Sequence, residues 1–222
     1  MPDKTHTVGT SDSTSALALK EGFYWKTIWE YGANSELASK RPDPNVLLPG
    51  DKIVIPEKQE KTGVTKGTEA EHTFVRKGEP TKLKIKFLEL GEARKDEKYV
   101  FKYGAKQIEG TTNAEGLVEQ FVPGNISSVQ ILFKDGAEVH TFNCGSLNPL
   151  EVVSGVTQRL NNLGFKCGNE RLPITTSAKE AFESGKVSKK TIDAVKKFQA
   201  INELEMTGKL DGPTLDLLKK IK

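Results

Sequence analysis

Thr191-Ile192-Asp193-Ala194-Val195-Lys196-Lys197-Phe198-Gln199 places Ile192, Val195 and Phe198 at three-residue intervals, and Ile201 continues the row. Apolar residues at that spacing gather on one face of an α-helix. Ser188 stands just before the row, where a short hydroxyl side chain can accept one of the free N–H groups of the first turn. Working outward, Val152, Val153, Val156, Leu160 and Leu163 follow the same helical period and stop at Gly164. Downstream, Pro213 suits a first helical turn, and Leu215, Leu218 and Ile221 carry a third apolar stripe. Three amphipathic helices are therefore expected within residues 149–222, enough for a small three-helix bundle.

Upstream of Asn148-Pro149 the period changes to two. Leu83, Ile85 and Phe87 alternate with Lys82, Lys84 and Lys86. Tyr99, Phe101 and Tyr103 repeat the alternation, and so do Val129, Ile131 and Phe133. Strands with one apolar and one lysine-bearing face belong to antiparallel sheets wetted on one side. Turn signals separate the runs at Gly91-Glu92, Tyr103-Gly104, Asn113-Ala114-Glu115-Gly116, Pro123-Gly124-Asn125 and Asp135-Gly136. Residues 71–148 are expected to form a small antiparallel β-sandwich. The polar stretch Glu57 to Thr68 has no periodicity and reads as a linker over 59–70.

Residues 1–58 read as strand, helix, helix, strand. Thr5 to Val8 is a short β segment, and Ser11-Asp12-Ser13 offers helix caps. Ala16, Leu17 and Leu19 carry a first helix up to Gly22, and Trp25, Ile28 and Trp29 form the apolar face of a second. Leu48-Pro49-Gly50-Asp51-Lys52-Ile53-Val54-Ile55-Pro56 closes the unit as a turn feeding a strand. The fold class expected for the whole chain is multidomain α+β.

Composition narrows the function. With 36% hydrophobic and 28% charged residues, the 222-residue chain suits several small cores better than one enzyme-sized core. The net charge is +3, and residues 150–222 hold 13 Lys/Arg against 9 Asp/Glu. No segment is basic enough to make nucleic acid the main partner. The N-terminus shows no apolar signal segment, and no apolar run is long enough for membrane insertion. The expected location is the cell envelope, periplasm or exterior, reached from the cytoplasm by a leaderless route. His6, His72 and His140 sit in no metal-binding or nucleophile-activating motif, and no recognised motif pairs Cys144 with a histidine as its base. No pair of carboxylates is set in apolar surroundings as a glycosidase needs. The expectation is a non-catalytic protein with no metal and no cofactor. Cys144 and Cys167 read as free or partly buried thiols, with a disulfide between the middle and C-terminal units as the alternative.

Thr7-Val8, Ser11-Asp12-Ser13, Ala18 to Phe23, Pro44-Asn45 and the closing Leu48 to Pro56 box together resemble a LysM domain. That resemblance implies a βααβ fold binding N-acetylglucosamine-containing glycans. Its contact residues carry over to Ser11, Asp12, Ser13, Asn45, Val46 and Leu47. The first loop departs from the family pattern, and Tyr31 to Asp43 is longer and more charged than usual. Val156 to Phe165, Thr191 to Gln199 and Thr207 to Asp211 with Thr214-Leu215 resemble, in order, the peptidoglycan-binding type 1 family. That implies a wall-anchoring helical unit. Gln199 carries over as a glycan contact, with a role at the core edge or as a cap equally open. A longer segment between Cys167 and Lys190 departs from the pattern and can cover or reshape the groove. Gly110 to Gly116 followed by Leu117 to Pro123 resembles transthyretin-like or carboxypeptidase-regulatory-like modules, implying a spacer or protein-contact role. The function expected is a peptidoglycan-binding adaptor. The alternative is a structural or accessory protein of a contractile injection or type VI-like secretion apparatus, with secretion-apparatus proteins as partners.

Overall fold

A computed structural model describes residues 3–59, 67–68, 71, 81–89 and 91–220. Of the expected linker only Gln59, Gly67 and Thr68 are described. His72 and the start of the middle unit up to residue 80 lie outside the described residues, except Glu71.

In the N-terminal unit, β1 (Lys4–Thr7) pairs antiparallel with β2 (Lys52–Ile55), setting Lys4 opposite Ile55 and Thr7 opposite Lys52. Three helices lie between them: α1 (Thr14–Glu21), α2 (Trp25–Trp29) and, after a 3-10 turn over Gly32–Asn34, α3 (Ser35–Lys40). The Ser13 side chain accepts from Ala16 N at the start of α1, and Gly22 ends the helix at φ 79°, a left-handed conformation suited to glycine. The sequence reading expected two helices, and α3 is the addition. It forms because Leu37 anchors the charged stretch in the core, while Glu36 and Lys40 sit at the favourable ends of the helix dipole. Val8, Leu17, Ala18, Ile28, Leu37, Leu47, Ile53 and Ile55 build that core, with Trp25 and Trp29 partly buried against it. Arg41 is turned inward as well. Its Nε donates to Asp51 Oδ2 at 2.8 Å, and the same oxygen accepts from Leu48 N at 2.9 Å, fixing the Leu48–Asp51 turn.

Among the described residues the middle unit has two main sheets. β3 (Thr81–Lys86) pairs with β8 (Leu117–Val122). A four-stranded sheet runs in the order β10 (Glu138–Asn143), β9 (Ser128–Phe133), β6 (Lys98–Tyr103), β7 (Lys106–Thr111). β4 (Leu88–Glu89) and β5 (Glu92–Ala93) form a small hairpin. The main sheets share one core, in which Val118 and Val122 meet Tyr99, Phe101, Val129, Ile131 and Phe133. The period-two residues point inward as their alternation requires, and each expected turn signal falls where the chain reverses.

The C-terminal unit contains α4 (Val153–Asn162), α5 (Ala178–Glu183), α6 (Lys189–Ile201) and α7 (Gly212–Lys219). The three expected helices are present, and α5 is a fourth within the segment that interrupts the sequence pattern. Ser177 caps it by accepting from Glu180 N, and Ala178 and Ala181 enter the core. Val156, Leu160, Ala181, Val195 and Leu218 are the residues with no exposure at its centre. Gly155 lets α4 pass the chain entering it, since a Cβ there would lie 1.9 Å from Pro149 O. Ile201 and Leu163, expected on apolar faces, are instead 73% and 42% exposed, because each sits where its helix runs past the core. Ile221 lies outside the described residues. The middle and C-terminal units meet at Asn143 and Asn162: Asn143 N donates to Asn162 Oδ1 at 2.9 Å, and Asn162 Nδ2 donates to Asn143 O at 2.8 Å. No helix among the described residues is long and apolar enough to cross a membrane.

Candidate functional site

The six N-terminal residues singled out from sequence lie on two adjacent loops. Thr14 N donates to Pro44 O at 3.2 Å and Ser15 N to Asn45 Oδ1 at 3.1 Å, so backbone amides at the start of α1 hold the second loop. Ser13 is buried as the cap of α1, and Leu47 is a core residue. Asp12 Oδ2 accepts from Gly9 N at 2.8 Å and stands 2.7 Å from His6 Nε2. Burial pushes the Asp12 pKa up, but the Gly9 and His6 contacts outweigh it and hold the group below its ordinary value. Ser11 is exposed and Val46 half-buried. The structure brings the six residues together, yet most of their polar groups are engaged in building the loops. The Pro123-Gly124 turn of the middle unit also approaches this edge, and a Cβ on Gly124 would lie 3.1 Å from Ser15 Cβ.

Gln199 lies in the interior with no exposure. Its Nε2 donates to Thr207 Oγ1 at 2.9 Å, Lys209 O at 3.0 Å and Thr214 Oγ1 at 2.9 Å. Its Oε1 accepts from Gly208 N at 2.8 Å. One side chain thus ties α6 to the Thr207–Lys209 turn and to the start of α7, where Asp211 caps the helix by accepting from Thr214 N. Of the two roles left open by the sequence, this geometry is that of a buried hub.

A cleft of about 210 Å³ opens in the C-terminal unit between α4 and the segment after Cys167. Val153, Ser154, Thr157 and Asn161 line one side, and Gly168, Asn169, Glu170, Leu172 and Pro173 the other. The first four share a face because they recur at helical spacing. The opposite wall has no regular structure and is held by side chains. Cys167 N donates to Asn161 Oδ1 at 2.9 Å, Gly168 N to Thr191 Oγ1 at 3.0 Å, and Ser154 Oγ to Ile174 O at 3.3 Å.

Glu170 is the main fastening. Its carboxylate accepts from Ser188 Oγ at 2.6 Å, from Ser188 N at 3.1 Å on Oε2, and from Thr191 Oγ1. These partners lie at the N-terminus of α6, where a negative charge is favoured by the helix dipole. Burial pushes the Glu170 pKa up, but the Ser188 and Thr191 hydrogen bonds overcome it and leave the group below its ordinary value. Sequence reading marked the segment, Leu172 and Pro173 included, as one that reshapes the groove, but gave none of the lining residues a ligand role. Glu170 is 18 residues from Ser188 and 21 from Thr191, too far for any local pattern to reveal.

A wider depression of about 500 Å³ in the middle unit is lined by Glu89, Glu92, Ala93, Arg94, Lys95 and Glu97. Its buried cation, Arg94, is occupied by Glu97 and Glu138, with Nη2 2.6 Å from Glu97 Oε1 and Nη1 2.6 Å from Glu138 Oε1. Among the described residues no group of three or more His, Cys, Asp or Glu is placed to hold a metal ion. Cys144 and Cys167 are both free thiols.

Residues 151–218 match the model of a family described as "Putative peptidoglycan binding domain". The match covers the C-terminal unit from just before α4 into α7, and so contains both the cleft and the Gln199 hub. No curated protein and no solved structure matches the chain.

Proposed function

We propose that the chain is a non-catalytic adaptor that associates with the cell wall by binding peptidoglycan through its C-terminal unit. The observation that carries this reading is the family match over 151–218, within which α4 and the Gly168–Pro173 wall form a cleft of about 210 Å³. That volume is below the usual size of a drug-sized ligand pocket, so it suits one unit of a polymer rather than a long strand. Asn161 and Asn169 line this space, so their side-chain amides offer donors and acceptors for amide groups. Val153, Leu172 and Pro173 supply apolar surface beside them.

The N-terminal unit, read as LysM-like, adds a second weak glycan contact through Ser11 and Val46, the two expected residues whose side chains are not used within the loops. Two weak modules in one chain gain affinity through effective concentration. Sedimentation with insoluble peptidoglycan tests the reading. Asn169 is exposed and fastens nothing in the wall, so Asn169→Trp fills the cleft without breaking its supports. Retention is expected to fall about tenfold, the scale of one lost polar or packing contact. Unchanged retention with a filled cleft would remove the cleft from the reading.

A second reading has one observation in its favour. Ser13, Asp12 and Asn45 spend their polar groups on their own loops, and the Gly124 turn packs close to Ser15. An N-terminal unit built that way suits protein contacts, as in an accessory protein of a contractile injection or type VI-like apparatus. Copurification with a spike or tube protein, without retention on peptidoglycan, selects this alternative.

A further inference from the structure

We propose that the α4 cleft recognises an amine-bearing peptide side chain of the wall polymer, not its sugar backbone, and that Glu170 is the group that selects the charge. This inference rests on the peptidoglycan reading and assigns the part of the polymer that the cleft takes.

Charge points first to the ligand. Among the nine lining residues Glu170 is the single ionisable one, and no Lys, Arg or His stands with it. Hydrogen bonds and the α6 dipole hold this carboxylate ionised but no cationic side chain among the lining residues neutralises it, so it attracts a cation and repels a ligand carboxylate. The acceptor capacity is also uneven. Ser188 Oγ and Thr191 Oγ1 both donate to Oε1, whereas Oε2 takes only the Ser188 N–H at 3.1 Å. Oε2 therefore keeps room for another donor. A carboxylate pinned by three donor groups loses little rotamer freedom when a ligand arrives, so the interaction is preorganised.

The remaining lining agrees with a peptide better than with a pyranose. Among the described residues no aromatic ring lines the cleft to offer a flat apolar platform for the C–H face of a sugar. The nearest candidate by sequence, Phe165, packs edge-on against Phe198 with ring centroids 5.7 Å apart. Leu172 and Pro173 instead give a narrow aliphatic strip that suits a methylene stem ending in an ammonium group. Asn161 Nδ2 and the Asn169 amide can pair with the C=O and N–H of the attached peptide bond. A stem-peptide diamino acid with a free amine meets all three requirements.

The test uses the full chain and purified peptidoglycan sacculi, native or with their free amines acetylated by acetic anhydride. Acetylation removes the positive charge and leaves the glycan chains intact. Wild-type retention is expected to weaken about tenfold on acetylated sacculi, the lower end for loss of a hydrogen bond to a charged group. Glu170→Gln keeps an acceptor oxygen for Ser188 and Thr191, and should bind both preparations equally at the weakened level. Equal wild-type retention on native and acetylated sacculi overturns the ammonium assignment while leaving peptidoglycan binding in place. Failure of the wild-type chain to sediment with native sacculi overturns the peptidoglycan reading itself, and the assignment with it. The acetylation arm needs no variant, so a folding defect in Glu170→Gln does not blunt it.

Discussion

Replacing Gln199 separates a structural role from a binding one. In Gln199→Ala the Gly208 N–H and the Lys209 carbonyl lose their side-chain partner at a site with no exposure. Each buried group left unpaired costs about 1–3 kcal/mol, while Thr207 and Thr214 keep Asp211 as a partner. The lost amide also leaves a small void, so the total is about 3–5 kcal/mol. A unit of this size is stable by only about 4–10 kcal/mol. With a shift of roughly 4–8 °C per kcal/mol for a small domain, its melting temperature should drop by about 12–40 °C. Gln199→Met fills the volume without restoring the hydrogen bonds and should recover only a minor part. Thermal unfolding followed by circular dichroism at 222 nm measures the loss, and sedimentation with peptidoglycan well below the transition measures binding. The expected result is a large drop in melting temperature with retention unchanged at low temperature. A melting temperature within about 2 °C of wild type together with a tenfold loss of retention would refute the hub argument and place Gln199 on the ligand.

Three further outcomes follow. Glu138 is drawn down to about 2, first by Arg94 and then by His140, from an ordinary 4.5. Its folded pKa is depressed, so its contribution is present above about 4.5 and is lost as pH falls from there towards 2; unfolding of the middle unit should be acid-sensitive in that window and flatter in Glu138→Gln. Burial pushes Cys144 and Cys167 up to about 11, so at pH 8 neither should react with iodoacetamide in the native chain, and both should react in denaturant. A fast-reacting equivalent in the native chain would contradict their placement. Asn34 is 1% exposed and joins Ile28 O, Val54 O and Val54 N by 2.7 Å hydrogen bonds. Asn34→Ala should destabilise the N-terminal unit by about 2–4 kcal/mol and speed amide exchange in β1 and β2. Exchange confined to the α2–α3 turn would show that Asn34 does not brace the strand.

Most of the elements, and the buried side of most of them, were legible from local spacing alone. Alternation at Leu83–Phe87, Tyr99–Tyr103 and Val129–Phe133 sets which face of each strand is buried, because successive side chains must point oppositely. The caps at Ser13 and Ser188 were equally local, since a cap and its N–H partner are three residues apart. α3 and α5 were less visible because their apolar content is low, and each depends on one or two residues, such as Leu37 or Ala181, meeting a core assembled from distant segments.

The sites belonged to the tertiary structure. Asp12, Ser13 and Asn45 were legible as loop residues, but only the packing of the two loops showed their polar groups turned to internal partners. For Gln199 the sequence left a glycan contact and a core-edge or capping role equally open, and only the closing of the Thr207–Thr214 segment over it decided between them. The cleft depends on Glu170 reaching Ser188 and Thr191, a contact made when the Cys167–Ser177 segment folds back between α4 and α6. Periodicity encodes which side of an element is apolar; it carries no information about which polar groups from separate elements will share an enclosed space, because that is set by how those elements pack.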